Sequence, residues 1–435
     1  MDMMNSFWHD SCKMPDFPPL EGDCKTDALI IGGGLAGLLT CYMLTKAGVD
    51  CLLIEAADLC SGVTGNTTAK ITSQHADIYH RLLKSMGREK ARMYYEANEA
   101  AIVSYRDLTR QLPCGFERKD SFLYALSPSP KLEREMAALS DLGIDFTFEK
   151  DLKLPFSTVG AIRFRNQAQL HPLAFAAGIA NGLNIRTHTI AKDFLGNTVI
   201  TDRGNITASH VIMATHFPII NRHGAYFAKM YQSRSYVLGL KNAPDVHGMY
   251  LDISGQGLSL RNAGELLLLG GFDHRTGKAS EGWAGLEQKA KEFFPKASAQ
   301  YRWATQDCMT LDGVPYIGSY SRRTQKLYVA TGFHKWGMTS SMIAAQILCD
   351  KILGRENPFA SLFDPSRSML HPQLAANLLE TTCNLLRFTK PRCPHLGCAL
   401  QWNKQERSWD CPCHGSRFTE DGKLLDNPAT GDLDI

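Results

Sequence analysis

Two short stretches near the end of the chain constrain it most: Cys393-Pro394-His395-Leu396-Gly397-Cys398 and Cys411-Pro412-Cys413-His414-Gly415-Ser416. Each offers a thiol and an imidazole two or three residues apart, and fifteen residues separate His395 from Cys411. Two Cys and two His can close around one zinc ion, and a metal held by two loops dictates how the backbone around it folds. A four-ligand zinc site leaves Cys398 and Cys413, one in each loop, without a role. The chain has thirteen cysteines; the other nine (12, 24, 41, 51, 60, 114, 308, 349 and 383) follow no regular spacing, as in a protein of reduced thiols rather than a disulfide framework.

A second signal lies near the start. The apolar run Ala28-Leu29-Ile30-Ile31 stops at Gly32-Gly33-Gly34-Leu35-Ala36-Gly37; a helical pattern follows, then the run Cys51-Leu52-Leu53-Ile54, ending at Glu55. This predicts a βαβ unit carrying G-x-G-x-x-G. Gly32 permits the tight turn, Gly34 lets backbone approach a pyrophosphate, and Gly37 lets helix and strand pack closely, with the helix N-terminus facing the phosphates. An acid closing the second strand takes ribose hydroxyls and disfavours a 2′-phosphate, which argues against NADP. The motif alone leaves NAD and FAD open.

Along the rest of the chain, residues 77–112 read as a long charged helical region, with strands at 122–126 and 161–164 and helices at 131–142 and 172–183. A meander over 185–215 ends in Val211-Ile212-Met213-Ala214. A β-rich region covers 230–270, a strand 326–330 and a helix 338–353. At 435 residues two or three domains are expected, and a net charge of +3 gives no case for nucleic acid. The uncharged stretch 28–45 contains four glycines and reads as strand, turn and helix, so no integral membrane span is expected. Asp2 and Asp10 stand where a signal peptide is basic, which makes the cytoplasm the expected location.

Residues 26–355 resemble the D-amino-acid-oxidase (DAO) type flavoproteins, among them glycine and sarcosine oxidases. The resemblance rests on Gly32–Gly37 with Glu55, the Ser61–Thr68 loop, the Val211–Thr215 strand, and the segments Asp312–Gly318 and Thr331–Thr339. It implies FAD, bound by Gly32, Gly33, Gly34, Leu35, Ala36, Gly37, Glu55, Thr64, Asn66, Thr67, Thr68 and Thr215, and by Gly332, Phe333, Lys335, Trp336, Gly337, Met338 and Thr339. The strand-loop-helix at 326–353 has a physical meaning of its own, since it aims backbone N–H groups at one ligand edge, as an anionic flavin edge requires. Some relatives attach flavin through a histidine in the first loop; Asn66 stands at that place here, so the FAD is expected to be non-covalent.

The cysteine-histidine pair closely resembles the signature of Rieske [2Fe–2S] proteins. That resemblance implies one iron on Cys393 and Cys411, the other on His395 and His414, and a disulfide between Cys398 and Cys413. Where respiratory Rieske proteins carry a tyrosine after the His-Gly-Ser, this chain has Phe418, which implies a potential in the lower part of the roughly −150 to +300 mV Rieske range. With fewer than twenty residues from the start of the amphipathic Leu374–Leu379 stretch to Cys393, a reduced module is expected, docked on the flavin domain.

The whole chain resembles a bacterial family of FAD-dependent oxidoreductases with a C-terminal Rieske module, a likeness also carried by 214–218 and 335–339. The expected fold is α/β: a Rossmann-like FAD-binding domain interleaved with a β-rich substrate domain, plus a small β Rieske subdomain. The expected boundaries are an N-terminal extension at 1–25 and a DAO-type unit at 26–360, with FAD parts 26–78, 150–218 and 305–360 and substrate parts 79–149 and 219–304. A linker at 361–387 and the Rieske module at 388–435 follow. Lys335, Arg234 and Tyr236 are the candidate catalytic residues, Arg234 as a fork for a substrate carboxylate; a salt bridge and a packed tyrosine are the plainer alternatives. His75, His171, His216 and His274 read as structural. Two functions follow. One is a dehydrogenase that oxidises a small amine or amino acid and passes electrons through the cluster to a redox carrier or partner protein. The other is an electron-transfer protein without an amine substrate.

Overall fold

The computed structural model describes residues 6–220, 223–254, 257–389 and 391–434. Its first sheet grows from the predicted βαβ unit. β1 (Cys24–Ile31) pairs in parallel with β2 (Cys51–Ile54) on one side and β3 (Asn205–Met213) on the other, and Leu327–Thr331 extends the sheet beyond β3. Ala28 to Ile31 and Cys51 to Ile54 are buried throughout, as strands covered on both faces must be. Helices α1 (Leu35–Lys46) and α2 (Gly337–Ile352) pack against each other, both largely buried.

The second sheet is mostly antiparallel. β4 (Met230–Lys241) lies between β5 (Leu266–Arg275) and β6 (Ser298–Thr310), and the order continues through 259–263, 249–252, 117–125 and 160–169 to 70–71. Its edge beyond the expected boundaries is the main correction to the domain parts. Strand Gly160–Gln169 pairs with Glu117–Ala125 in this sheet, so 150–169 leaves the FAD part, and a boundary at 304/305 would cut through β6. Local apolar pattern says that a strand is buried but not which partner buries it.

A third sheet of four short strands, β7 (Gln401–Asn403), β8 (Ser408–Asp410), β9 (Arg417–Thr419) and β10 (Leu424–Asp426), holds the C-terminal module together. No strand precedes Cys393 in it among the described residues, consistent with a reduced module. The segment expected as linker instead contains α3 (Pro372–Leu385). The N-terminal extension is also structured: a short helix at Phe7–Ser11 buries Trp8, whose indole donates to Thr67 O (2.7 Å), so it braces the 61–68 loop. Among the described residues no helix is long and apolar enough to cross a membrane.

Candidate active site and metal centre

A cavity of about 790 Å3 opens between the first two sheets. Its floor is the glycine-rich turn. Gly32 has φ +115°, and a Cβ there would stand 2.4 Å from Ala214 O; a Cβ on Gly37 would stand 2.0 Å from Gly32 O. Both positions therefore need glycine, one for the turn and one for close packing. Glu55 accepts from Gly33 N (2.6 Å) and Ala57 N (2.9 Å), which fixes the acid at the rim.

Two helices start at this cavity, α1 after Gly34 and α2 after Trp336, and neither is capped by its own N-cap side chain. Thr64 Oγ1 takes the N–H of Leu35 (3.0 Å), and the hydroxyl of Thr339 is buried with no hydrogen-bond partner among the described residues. Two helix N-termini opening on the cavity suit a ligand with a pyrophosphate and an electron-rich ring edge. Fifteen of the nineteen expected FAD contacts line the cavity; Gly33, Gly37, Asn66 and Thr339 lie behind its wall. Asn66 donates to Gly62 O (3.0 Å) and takes the Trp303 indole on its carbonyl (2.9 Å).

The opposite wall is the second sheet, where strand alternation does the sorting. Ser235 and Val237 of β4 and Thr305, Asp307 and Met309 of β6 face the cavity. Burial raises the Asp307 carboxyl to about 6, with Lys335 opposing and Asp273 adding to the rise. Lys335, at φ +73°, pairs with Asp273 across 2.6 Å at the cavity wall. Lys70 donates to Tyr250 O (2.7 Å) and Ser259 Oγ, and burial draws it down to about 7. Asp307, Asp273 and Lys70 were not among the residues expected from sequence. The one available signal was the alternation Thr305-x-Asp307-x-Met309, which puts a carboxylate on a face otherwise uncharged along that strand.

Residues one step along the same strands point the other way. Gln232 Nε2 donates to His414 O (2.9 Å) and Asn427 O (2.8 Å), and Gln306 Nε2 to Gly415 O (2.8 Å). Arg275 donates to Pro412 O (2.8 Å) and Cys413 O (3.0 Å). Gly415 is where the loop touches the sheet, since a Cβ there would lie 2.5 Å from Gln232 Cβ.

Arg234 belongs to this outer face, which corrects its expected role. Its guanidinium forks onto Glu406 of the C-terminal module (Nε to Oε1 2.9 Å), and Asp426 is near, so it is not available to a substrate carboxylate. Arg417 completes the cluster through Asp410 (2.9 Å), Glu406 (2.8 Å) and Asp426 (3.0 Å). Burial would raise the Glu406 carboxyl, but Arg234 and Arg417 overcome it and hold the group at about 2. Tyr236 contributes to the cavity wall, yet its ring packs flat on His274 (centroids 5.7 Å) and edge-on to Trp283 (5.0 Å). Among the other histidines, His75 bonds Tyr94 and Thr72 and stacks on Trp336, and His171 caps a helix. His216 lines the cavity at φ +66°.

The two metal-loop candidates are copies of one turn. Cys393 N bonds Cys398 O and Gly397 N bonds Cys393 O; Cys411 N bonds Ser416 O and Gly415 N bonds Cys411 O, all at 2.9 Å. Gly397 and Gly415 take φ of +79° and +90° to allow it. The loops bring the sulfurs of Cys398, Cys411 and Cys413 within 4.8 Å of one another. The His395 and His414 rings lie 4.9 Å apart and perpendicular. Cys398 and Cys413, the pair expected as a disulfide, are both buried and bring their sulfurs within 4.8 Å of each other. Both nitrogens of His414 are buried without a hydrogen-bond partner among the described residues, and burial keeps its ring neutral, near 3. Buried cysteines from both loops beside two imidazoles that burial keeps neutral fit an iron–sulfur ligand set.

The two sites meet. Leu424, Leu425, Asp426, Asn427, Ala429 and Thr430 of the C-terminal module form part of the cavity wall. Asn427 donates to Thr215 O (2.6 Å) and Phe217 O (3.1 Å), and the Phe217 ring lies 6.4 Å from that of His395 and 6.5 Å from that of His414. Three consecutive residues, Thr215 to Phe217, thus reach from the cavity to the histidine pair.

Comparison with known proteins agrees with this division. The family model described as FAD dependent oxidoreductase (DAO) matches residues 27–351, and that of the Rieske [2Fe-2S] domain matches 377–435. The Rieske 2Fe-2S iron-sulfur protein YhfW of Bacillus subtilis is 36% identical over 98% of this chain and 96% of its own. Gamma-glutamylputrescine oxidoreductase of Escherichia coli is 22% identical over 80% of this chain and 89% of its own. Among solved structures, glycine oxidase from Geobacillus kaustophilus superposes with a TM-score of 0.66 at 19% identity, covering 79% of this chain and 99% of that one.

Proposed function

The chain belongs to the FAD-dependent oxidoreductase family of the DAO type and carries a C-terminal Rieske domain; from that premise we propose that it oxidises a small amine at the cavity and delivers the electrons singly, as a dehydrogenase rather than an oxidase. When bound, FAD supplies two-electron chemistry and the [2Fe–2S] cluster one-electron transfer. In this reading the Gly32–Gly37 turn and the start of α1 hold the pyrophosphate, and Glu55 takes the ribose hydroxyls. The loop 332–338 and the start of α2 face the ring edge. Cys393 and Cys411 hold one iron, and His395 and His414 the other.

Asp307 is the group that receives the amine. Ionised above about 6, it offers an ammonium its counter-ion and a carboxylate oxygen on which a proton can be left. Lys335, tied to Asp273, keeps the neighbouring wall charged and fixed. Arg234, engaged by Glu406, is not the group that would hold a substrate carboxylate, so the ammonium is the substrate feature that Asp307 selects in this reading. The E. coli relative is named for gamma-glutamylputrescine, which also carries an amine.

The observation that carries the reading is the shared sheet, with a cavity on one face of β4 and β6 and the cysteine-histidine loop held on the other. Anaerobic titration of the purified protein with a panel of amines, followed by visible absorption and EPR, tests it. Bleaching of flavin together with a Rieske-type EPR signal is the expected result. Reduction by no amine, with both centres reducible by dithionite, overturns it in favour of the electron-transfer protein, a reading that the engagement of Arg234 also favours. Stoichiometric peroxide in air would assign an oxidase.

A further inference from the structure

We propose that the outward face of α3, together with the Leu396 tip of the first cysteine-histidine loop, is a peripheral docking surface for an anionic lipid bilayer. Single exposed apolar side chains are ordinary, whereas a contiguous group is not. Of the thirteen large apolar side chains exposed among the described residues, seven fall within the 27 residues from Leu370 to Leu396.

Helix α3 is inside out. It buries Asn377 and Asn384, two turns apart, and exposes Leu378 (48%), Leu379 (67%), Leu385 (42%) and Leu386 just beyond its end (67%). The inward asparagines are used: Asn377 bonds Arg275 and Ala228 O, and the backbone carbonyl of Asn384 accepts from Ala399 N. A helix docked on a protein core turns its leucines inward; one lying in a membrane interface keeps them for lipid. Phe388, 99% exposed, follows immediately.

Charge selects the occupant. From residue 381 to 405 the chain has Arg387, Lys390, Arg392 and Lys404 and no acid. The helix's one carboxylate, Glu380, is turned to Lys278 (2.6 Å) and Asn384. An apolar stripe with Arg387, Arg392 and an aromatic ring at its end matches the boundary of an anionic bilayer. The metal-loop candidate shares this surface, because Arg392 bonds the carbonyls of both Leu385 and Gly397, and a Cβ on Gly397 would lie 4.0 Å from Leu385 Cδ2. Leu396, next to His395, is 40% exposed beside them.

Flotation of the full-length holoprotein with phosphatidylcholine vesicles, with and without phosphatidylglycerol, tests the assignment. Binding is expected only with phosphatidylglycerol and should weaken with salt. Leu378→Glu with Leu379→Glu, and separately Arg387→Glu, should each lower it at least about tenfold, while Leu195→Glu, on another exposed site, leaves it unchanged. Unaltered flavin and cluster absorption shows that each variant is folded, and Arg387→Glu carries the test should the double variant fail to fold. No binding, binding indifferent to lipid charge, or binding untouched by these substitutions overturns the proposal. So does self-association in sedimentation that Leu379→Glu abolishes, which would give the face to a second copy of the chain.

Discussion

Asp307 is a carboxylate whose environment works against its charge. With its carboxyl raised to about 6, kcat/KM for a cationic amine should rise as pH climbs through about 6 and then level off. Asp307→Asn should remove that inflection and cost about tenfold to a thousandfold in kcat/KM, measured by steady-state kinetics with an artificial one-electron acceptor. The raised value also has a stability consequence: the group favours folding below its ordinary value near 3.8 and withdraws that support as pH rises through about 6. At the metal centre, Phe418 is fully buried in the small core it shares with Cys393, Cys398, Cys411 and Cys413. Phe418→Tyr should raise the cluster potential by tens of millivolts, read by EPR-monitored redox titration. Both glycine-bearing motifs were legible in the sequence because their chemistry depends on spacing along the chain. Asp307 was not, because its meaning depends on which layer its strand face meets.

At the scale of elements, the third sheet is bound to the second through buried charges rather than an apolar seam. Arg234 and Glu406 are both over nine-tenths buried, so removing one partner strands the other. Glu406→Gln should destabilise the docked module by about 3 kcal/mol, and adding Arg234→Gln should cost less than the sum of the two single changes. Thermal unfolding followed by visible circular dichroism of the cluster, with flavin fluorescence as second probe, would separate module from domain. Arg234 was legible in the sequence as a residue of a strand, but the face it takes, turned to Glu406 and away from the cavity, depends on the partner sheet. Helix α3 was legible only in its amphipathic Leu374–Leu379 stretch, because a pattern that buries asparagine and exposes leucine looks like no packed helix and the whole of 361–387 resembles a linker.

For the molecule as a whole, the C-terminal module has a core of only eight buried side chains, too few to hold four short strands without help from its metal and from the domain beneath. Stripping iron from the holoprotein with a chelator should expose residues 388–435 to limited proteolysis first, while the flavin domain keeps its FAD; mass spectrometry of the fragments would report it. The same strands, β4 and β6, also place a limit on how this chain can change. Because they present cavity residues on one face and docking residues on the other, inserting or deleting a single residue within either would exchange the two sets. Both sites can therefore diversify by substitution but not by length, and related chains should differ in these strands by replacement, with insertions confined to the turns that join them.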